Sequence, residues 1–232
     1  MCGDCGCREA NAQHFPKMKI KTLHLATDIL KKNNHMAQHN QHWFRDHHVS
    51  AINLMSSPGA GKTALLEKTI SALSSEINFS ILVGDQQTDN DATRLQLVGG
   101  KVRQITTHSS CHLDATMIDK ELNDFVTPDL DLLFIENVGN LVCPAAFDLG
   151  ENERVALLST PEGEDKPIKY PVLFNKASLI ILTKMDLVPY LEWDEKKCIE
   201  YIRKVNPTAK IIKLSAKTGE GMHEWINYLR KL

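Results

Sequence analysis

From residue 49 onward, short continuous runs of apolar residues alternate with longer segments in which apolar residues recur at helical spacing. Continuous apolar runs are typical of strands that are buried on both faces of a parallel sheet. This alternation predicts an α/β fold with a mainly parallel sheet and helices on both faces. The predicted strands are 51–55, 80–84, 102–106, 131–136, 154–159, 178–183 and 210–214, and the predicted helices follow residues 63, 91, 111, 193 and 221.

A glycine-rich loop directly follows the first predicted strand and reads Ser-Ser-Pro-Gly-Ala-Gly-Lys-Thr at residues 56–63. Between a strand and a helix, such a loop turns backbone N–H groups and a helix N-terminus towards an anion. We therefore predict a P-loop in which Lys62 reaches the β- and γ-phosphates and the Thr63 hydroxyl binds Mg²⁺. Ser56 departs from the usual pattern, which has Gly there. The remaining phosphate contacts are expected from Ser57, Pro58, Gly59, Ala60 and Gly61.

Two segments near the end of the chain predict that the nucleotide is GTP rather than ATP. Thr183-Lys184-Met185-Asp186 follows a predicted strand and resembles the guanine-reading N/T-K-x-D motif of GTPases. The Asp186 carboxylate suits guanine because N1–H and the 2-amino group are adjacent donors, and the stem of Lys184 can cover the ring. The second segment follows the last predicted strand and is expected to contact the guanine carbonyl; it consists of Ser215, Ala216 and Lys217.

Carboxylates at the ends of two other predicted strands are candidates for magnesium binding and catalysis. Asp85 ends the second strand and is the first candidate for the magnesium shell, because it would lie beside the P-loop if those strands were neighbours. Glu136 ends the fourth strand and resembles the acidic Walker-B position. Gly139 can offer its N–H to the γ-phosphate, which would make residues 137–143 a switch segment. The alternative role for each carboxylate is a helix N-cap.

Composition narrows the class of protein. The chain has 232 residues and a net charge of −2, which gives no electrostatic footprint for nucleic acid or a membrane surface. No apolar stretch is long enough to span a bilayer, and the first residues lack the apolar core of a signal peptide. These features predict a cytoplasmic protein whose six cysteines are thiols rather than disulfides.

The N-terminus carries a second kind of chemistry. Cys2, Cys5 and Cys7 lie close enough in the chain to converge on one ion, and the α-amine is a possible fourth donor. Three sulfurs and one nitrogen suit Ni²⁺ in a square plane or Zn²⁺ in a tetrahedron, and the sequence does not choose between them. We therefore expect three parts: a cysteine-rich metal-binding tail at 1–16, a helical linker at 17–48 and a GTPase domain at 49–232.

Another possible metal site lies inside the GTPase domain. Cys111 and His112 precede a predicted helix, and Cys143 lies in the predicted switch segment. Three ligands leave a site incomplete and invite water or a second copy of the chain, although a lone buried Cys143 is also compatible with simple packing. A row of histidines on one face of the linker helix is either a weak metal stripe or a solvated surface, and it consists of His35, His39 and His42.

Several longer strings extend these motifs over nearly the full chain. They are Cys-x-x-Cys-Gly-Cys in the tail, Asn40-x-x-Trp43-Phe44, the P-loop, Gly-Asp-Gln-Gln-Thr-Asp-Asn-Asp at 84–91, Cys-His-Leu-Asp at 111–114, Glu-Asn-Val-Gly-Asn-Leu-Val-Cys-Pro at 136–144 and Glu-Gly-Glu-Asp-Lys-Pro at 162–167. With these strings the chain resembles the HypB family, the hydrogenase nickel-incorporation GTPases of the SIMIBI class of P-loop proteins.

The resemblance implies a nickel metallochaperone for [NiFe]-hydrogenase maturation that forms GTP-dependent homodimers. It also implies a HypA-type nickel chaperone as partner and the hydrogenase large subunit as an indirect recipient. The tail cysteines would form the high-affinity nickel site, and Cys111, His112 and Cys143 a weaker nickel or zinc site near the dimer interface. GTP turnover is expected to be slow because no arginine finger is evident. The alternatives are a urease accessory GTPase and a metal-storage protein with a vestigial NTPase domain.

Overall fold

The computed structural model describes residues 17–125 and 129–232. Within these ranges seven strands form one sheet, and all neighbouring strands are parallel. The strands are β1 (Ser50–Met55), β2 (Phe79–Asp85), β3 (Val102–Thr106), β4 (Leu132–Glu136), β5 (Glu153–Ser159), β6 (Leu179–Thr183) and β7 (Lys210–Lys213). Every predicted strand is present, and no boundary differs from its predicted position by more than one residue. The predicted α/β fold is confirmed.

The helices of the described ranges include several that the sequence pattern did not predict. They are α1 (Lys17–Asp46), α2 (Lys62–Leu73), α3 (Asn90–Leu97), α4 (Ala115–Phe125), α5 (Cys143–Ala146), α6 (Lys166–Lys169), α7 (Pro171–Lys176), α8 (Glu195–Val205) and α9 (Met222–Leu229), with 3₁₀ helices at Thr160–Glu162 and Met185–Tyr190. The unpredicted α5, α6 and α7 each carry Pro in the first turn, where its missing N–H costs nothing. They are too short to show a helical apolar period.

The strand order is β3-β2-β4-β1-β5-β6-β7. Because β4 lies between β1 and β2, the strands that lead to the P-loop and to Asp85 are not neighbours. Glu136 ends β4 in register with Leu54 of β1 and Val83 of β2. Glu136 therefore occupies the place directly beside the P-loop strand that was expected for Asp85.

Buried apolar clusters cover both faces of the sheet. On one face, Ile52 and Leu54 of β1 belong to a cluster that includes residues of α2, α3 and α9. On the other face, Ala51 packs with residues of α1 and α4, and Met55 packs with residues of α7 and α8. This alternation along β1 is the two-residue period of a strand that is buried on both sides. The carboxyl ends of β1 and β4, where the P-loop and Glu136 lie, are thereby supported by packing on both faces of the sheet.

Helix α1 packs against the sheet domain through its C-terminal half. Phe44 is fully buried in the same cluster as Ile118 and Leu122 of α4. None of the helices in the described ranges combines the length and the apolar composition that crossing a membrane requires. The tail site predicted at Cys2, Cys5 and Cys7 lies outside the described residues.

Candidate functional site

The P-loop connects β1 to α2 and is shaped by two glycines. Gly59 and Gly61 have φ angles of +74° and +102°, in the left-handed region that residues with a side chain adopt at a cost. Gly61 immediately precedes α2, a helix of 12 residues, so the free N–H groups of its first turn face the loop. This arrangement is suited to binding a phosphate chain.

Lys62, Thr63 and Glu136 form a buried polar group beneath the loop. Lys62 is 7% exposed and Glu136 is 3% exposed. The Thr63 hydroxyl donates to Oε1 of Glu136 at 2.8 Å, and Oε2 of Glu136 is buried without a hydrogen-bond partner among the described residues. Burial raises the pKa of Glu136 to about 7, against the attraction of Lys62. An unpartnered carboxylate oxygen beside a threonine hydroxyl fits a magnesium ion, because Mg²⁺ prefers oxygen ligands.

Ser56 explains how the loop tolerates its departure from the usual P-loop pattern. Its side chain is fully buried, and its hydroxyl donates to the carbonyl of Ser57 at 2.7 Å. Nζ of Lys62 donates to the same Ser56 oxygen at 3.1 Å. Burial lowers the pKa of Lys62, and the nearby Glu136 carboxylate opposes that shift. The serine thus gives the buried ammonium group a partner in the absence of phosphate.

Asp85 lines the cavity beside the P-loop, although its strand, β2, is two places from β1 in the sheet. Its Oδ1 accepts the backbone N–H groups of Gln87 and Thr88, both at 2.9 Å. Burial alone would raise the pKa of Asp85, but the hydrogen bonds from Thr88 and Gln87 outweigh burial and hold this pKa below its ordinary value. One carboxylate oxygen therefore caps the loop after β2. The alternative role as a helix N-cap is not what the structure shows, because the N-cap residue of α3 is Asp89, and the other oxygen of Asp85 is not engaged by these bonds.

Gly139 brings the predicted switch segment against the P-loop. A Cβ atom at this position would lie 2.9 Å from Cα and 3.0 Å from N of Pro58, which is closer than real side chains approach. Only glycine fits there, so the backbone of the switch segment can reach the phosphate site directly. The P-loop and the switch segment enclose a cavity of about 620 Å³, which we call the phosphate cavity. It is lined by Pro58, Gly59, Gly61, Lys62, Thr63, Asp85, Gln86, Gln87, Thr88, Asp91, Arg94, Glu136, Val138, Gly139 and Lys184, among others.

A second cavity of about 280 Å³ lies between the P-loop and the segments that follow β6 and β7. Asp186 faces it, and its Oδ1 accepts the hydroxyl of Ser215 at 2.6 Å. The Thr183 hydroxyl donates to the carbonyl of Ala60 at 2.6 Å, which ties this cavity to the P-loop. Lys184 lines both cavities, and Ala216 and Lys217 complete the wall of the smaller one. The predicted base-reading residues are therefore assembled in one place.

Cys111, His112 and Cys143 come together as the sequence predicted. One ligand atom from each lies within 4.8 Å of the other two, and all three side chains are half-buried. Burial lowers the pKa of His112, against the attraction of Asp114, and so favours the neutral imidazole that binds metals. The hydrogen bond with Cys111 is the main cause that raises the pKa of the Cys143 thiol, and burial raises it further. Two sulfurs and one imidazole form a donor set that suits Ni²⁺ or Zn²⁺.

The metal-ligand trio is connected to the phosphate cavity by hydrogen bonds. Nε2 of Gln86 donates to the carbonyl of Ser110 at 3.2 Å, and the Ser110 hydroxyl lies 3.2 Å from Nδ1 of His112. On the other side, Oδ1 of Asn137 accepts the N–H of Leu113 at 3.2 Å. Loops that line the larger cavity therefore touch the segment that carries Cys111 and His112.

Two residues of the site were missed from the sequence. Glu162 accepts hydrogen bonds from the hydroxyls of Ser57 and Ser159, and so holds the start of the P-loop against the end of β5. The Ser-x-x-Glu spacing at 159–162 is a capping box and was a usable signal. Phe147 stacks on His112 with 3.8 Å between ring centroids. No local pattern marks that contact, because the two residues come from different loops.

The histidine row on α1 is a solvated face. His35, His39 and His42 are exposed, and Nδ1 of His39 lies 3.0 Å from Oδ1 of Asp119. Within the described ranges these three histidines do not form a metal-ligand group of the kind made by Cys111, His112 and Cys143. The interpretation as a metal stripe gains no support.

Known proteins share both the sequence and the fold. The family described as "CobW/HypB/UreG, nucleotide-binding domain" matches residues 50–213. The chain is 49% identical over 217 residues to "Hydrogenase maturation factor HypB" of Escherichia coli strain K12, covering 93% of this chain and 75% of that protein. The fold resembles the crystal structure of HypB from Helicobacter pylori in complex with nickel, with a TM-score of 0.81 and 37% sequence identity. That match covers 86% of this chain and 94% of the Helicobacter pylori chain. Its likeness to HypB from Archaeoglobus fulgidus has the same TM-score, 42% identity and coverage of 87% and 98%.

Proposed function

The chain belongs to the HypB family of CobW/HypB/UreG nucleotide-binding proteins, and on that premise we propose that it is a GTPase that carries nickel for [NiFe]-hydrogenase maturation. The observation that carries this proposal is the direct connection between two sites. Cys111 and His112 lie on a loop that is hydrogen-bonded to Gln86, which lines the phosphate cavity, and to Asn137, which lies between two lining residues. Cys143 lies on the segment that packs against Pro58.

The nucleotide is GTP. Asp186 lies in the smaller cavity, where its carboxylate can accept the two adjacent donors of guanine. The Ser215 hydroxyl already donates to this carboxylate, which fixes its orientation before the base arrives. Lys184 lines both cavities, so its stem can cover the base while the P-loop holds the phosphates.

Hydrolysis depends on the buried group beneath the P-loop. Thr63, Glu136 and Asp85 would hold Mg²⁺, which neutralises charge on the phosphates when it is bound. Lys62 supplies the fixed positive charge at the β- and γ-phosphates, and Gly139, which lines the cavity beside Pro58, can offer its N–H to the terminal phosphate. Arg94 lines the cavity, but its guanidinium is engaged by Glu67 at 3.0 Å and by Asp91 at 3.5 Å. Slow turnover follows, because among the described residues lining this cavity the one arginine is held by carboxylates.

Nickel is the cargo, and its affinity depends on the nucleotide. GTP orders the segment around residues 136–143, which carries Cys143, and hydrolysis releases it. The donor set with Cys111 and His112 then changes, so the nucleotide state alters metal affinity and metal alters nucleotide affinity by the same factor. Zn²⁺ can occupy the same donors, because cysteine and imidazole bind both metals.

The remaining features of the proposal concern assembly. The tail cysteines form the tighter nickel site, and the protein works in the cytoplasm as a GTP-dependent homodimer. Three ligands in the GTPase domain leave a position that a second copy of the chain can complete. A HypA-type chaperone exchanges nickel with it, and the hydrogenase large subunit is the final recipient. A storage protein with a vestigial NTPase domain is disfavoured because Lys62, Thr63 and Glu136 are assembled for phosphate binding.

The decisive experiment titrates Ni²⁺ into protein in which Cys2, Cys5 and Cys7 are changed to Ala, so that the domain site is observed alone. The titration is repeated with Mg²⁺ plus GDP and with Mg²⁺ plus a non-hydrolysable GTP analogue. We expect nickel affinity to differ between the two nucleotides and the difference to vanish in a Lys62→Ala background. Equal affinities in all three states would contradict the proposal. The unchanged chain should show one tighter nickel site and the same GTPase rate as the triple variant.

A further inference from the structure

Two buried asparagines of α1 hold the start of α4. Oδ1 of Asn33 accepts the backbone N–H of Ala115 at 2.9 Å, and Nδ2 of Asn40 donates to the carbonyl of Ala115 at 2.8 Å. Both amides are buried, with Asn33 6% exposed and Asn40 fully enclosed. Both polar groups of one peptide residue are therefore fixed by α1, only three residues after His112.

The same asparagines also hold a second loop. Nδ2 of Asn33 donates to the carbonyl of Asp148 at 2.8 Å, and Nδ2 of Asn40 donates to the carbonyl of Leu149 at 3.0 Å. The backbone there approaches α1 so closely that a Cβ on Gly150 would lie 2.4 Å from the carbonyl oxygen of Ala37. Asp148 directly follows Phe147, the residue that stacks on His112.

These contacts hold the backbone that follows each member of the His112–Phe147 stack. One asparagine pair fixes the backbone that follows His112, and the same pair fixes the backbone that follows its stacking partner Phe147. A hydrogen bond between two uncharged groups in a buried place stabilises the fold modestly, and leaving one of the partners unsatisfied there is more costly. Four such bonds from one helix give it the strength to define where the ring lies.

We propose that α1 is a positioning element for the metal-ligand trio, acting through Asn33 and Asn40 on the loops that carry His112 and Phe147. The inference rests on the proposed function, because it requires Cys111, His112 and Cys143 to bind metal. The helix that continues from the N-terminal tail thereby sets the geometry of the metal site in the GTPase domain. Neither asparagine contacts metal, so their effect on affinity is exerted through the backbone.

The test uses the variant in which Cys2, Cys5 and Cys7 are Ala, with Asn33→Ala, Asn40→Ala or Asn40→Asp added. Asn40→Asp keeps the size of the side chain but places an oxygen opposite the two carbonyls, so it separates lost hydrogen bonds from a lost volume. Gln38→Ala is the matched control, because Gln38 is exposed on the same helix. Ni²⁺ affinity, the absorption spectrum with Co²⁺ and GTP affinity are measured well below each variant's melting temperature.

Removing groups that orient metal ligands typically lowers metal affinity about 10- to 100-fold. We expect a loss of about tenfold for Asn40→Ala and Asn40→Asp, and a smaller loss for Asn33→Ala. The Co²⁺ spectrum should shift in these variants, GTP affinity should stay within about twofold, and Gln38→Ala should match the parent. A merely structural role would lower the melting temperature without changing the Co²⁺ spectrum of the protein that remains folded.

Two outcomes separate this inference from the proposed function. If Cys111→Ser leaves Ni²⁺ affinity unchanged in the same background, the trio is not the metal site and the proposed function fails. If Cys111→Ser abolishes binding but the folded asparagine variants keep both affinity and spectrum, the positioning role of α1 is overturned. Should either Asn40 variant fail to fold, Asn33→Ala decides the question by the same two measurements.

Discussion

The phosphate site and the metal-ligand trio are connected, yet they are built in opposite ways. At the phosphate site, Lys62 and Glu136 are buried and already hydrogen-bonded to Ser56 and Thr63, and among the described residues only Oε2 of Glu136 waits for a partner in this group. At the trio, the donors are half-buried and are oriented by one stacked ring and one hydroxyl. The first design holds charges where the ligand needs them. The second joins a His112 whose neighbouring backbone is held by α1 to a Cys143 on the separate segment that packs against the P-loop, which suits the metal release that the proposed function requires.

The largest effect is expected from Lys62→Ala, which removes the buried charge at the phosphate site. GTP hydrolysis should fall by at least about 100-fold, because a preorganised group that stabilises developing charge contributes that much to the rate. The measurement is phosphate release under saturating Mg²⁺ and GTP, with circular dichroism to confirm the fold. Ni²⁺ affinity without nucleotide should stay unchanged, and a parallel loss of nickel binding would show that the two sites are not separately built.

Asp186→Asn tests the base pocket. The substituted amide no longer accepts both guanine donors, and a buried mismatch of this kind costs about 1–3 kcal/mol. GTP affinity should fall, whereas xanthosine triphosphate should gain affinity because its 2-carbonyl can accept from the asparagine N–H₂. Fluorescence competition with both nucleotides measures the exchange of preference. An unchanged preference for GTP would mean that the base is read elsewhere.

Cys143→Ala tests the adaptable site. Nickel affinity at the trio should fall by about tenfold or more, since one of three donors is lost and ligand orientation alone is worth that much. The response of nickel affinity to GTP should also weaken, because Cys143 lies in the segment that packs on the P-loop. Cys198→Ala is the matched control, since Cys198 is fully buried within an apolar cluster. If the nucleotide response survives in Cys143→Ala, the cysteine is a static ligand.

The smallest effect is expected from Glu136→Gln on the stability of the nucleotide-free protein. The pKa of Glu136 is about 7 in the folded protein and 4.5 when exposed, so the folded state holds a proton that the unfolded chain releases between these values. Stability therefore falls as pH rises from 4.5 to 7. The attraction of Lys62 is already contained in this pKa, so Glu136→Gln removes the whole remaining cost of the buried carboxylate and should raise Tm by several degrees at about pH 8.

Melting curves at several pH values check this prediction. The gain in Tm from Glu136→Gln should be near zero at acidic pH, where Glu136 is protonated in both states, and should reach its full size in mildly alkaline buffer. Asp85→Asn serves as the contrast, because hydrogen bonds hold the pKa of Asp85 low and its loss should destabilise the protein. A gain that is independent of pH would show that the buried carboxylate does not carry the cost assigned to it.

The sequence predicted what local pattern determines. Continuous apolar runs marked all seven strands, and the P-loop, Asp186 and the Cys-His pair were found because each motif lies just after a strand. The strand order was not available from these patterns, so Asp85 was expected beside a strand that β4 in fact separates from it. Short helices such as α5 escaped prediction because four residues cannot display a helical period.

Contacts between distant parts of the chain were the features that the sequence concealed. Phe147 meets His112 through a loop whose path depends on the whole sheet, and no spacing announces that contact. Asn40 was noted only as part of the Asn40-x-x-Trp43-Phe44 string, and its burial was not predicted. It is fully buried because α4 and the loop at 148–150 close around it. Such residues are recognised only once the tertiary structure supplies their partners.

The docking of α1 has a consequence for the order of events during protein synthesis. The helix is made before the sheet, but its partners come much later: 115 residues separate Asn33 from Asp148, and 109 separate Asn40 from Leu149. At a translation rate of about 5–20 residues per second, the helix waits roughly 5 to 25 s for its docking site to leave the ribosome. The nascent chain therefore carries its N-terminal thiols well before Phe147 has been made and before Asn33 and Asn40 can hold the loops that position His112.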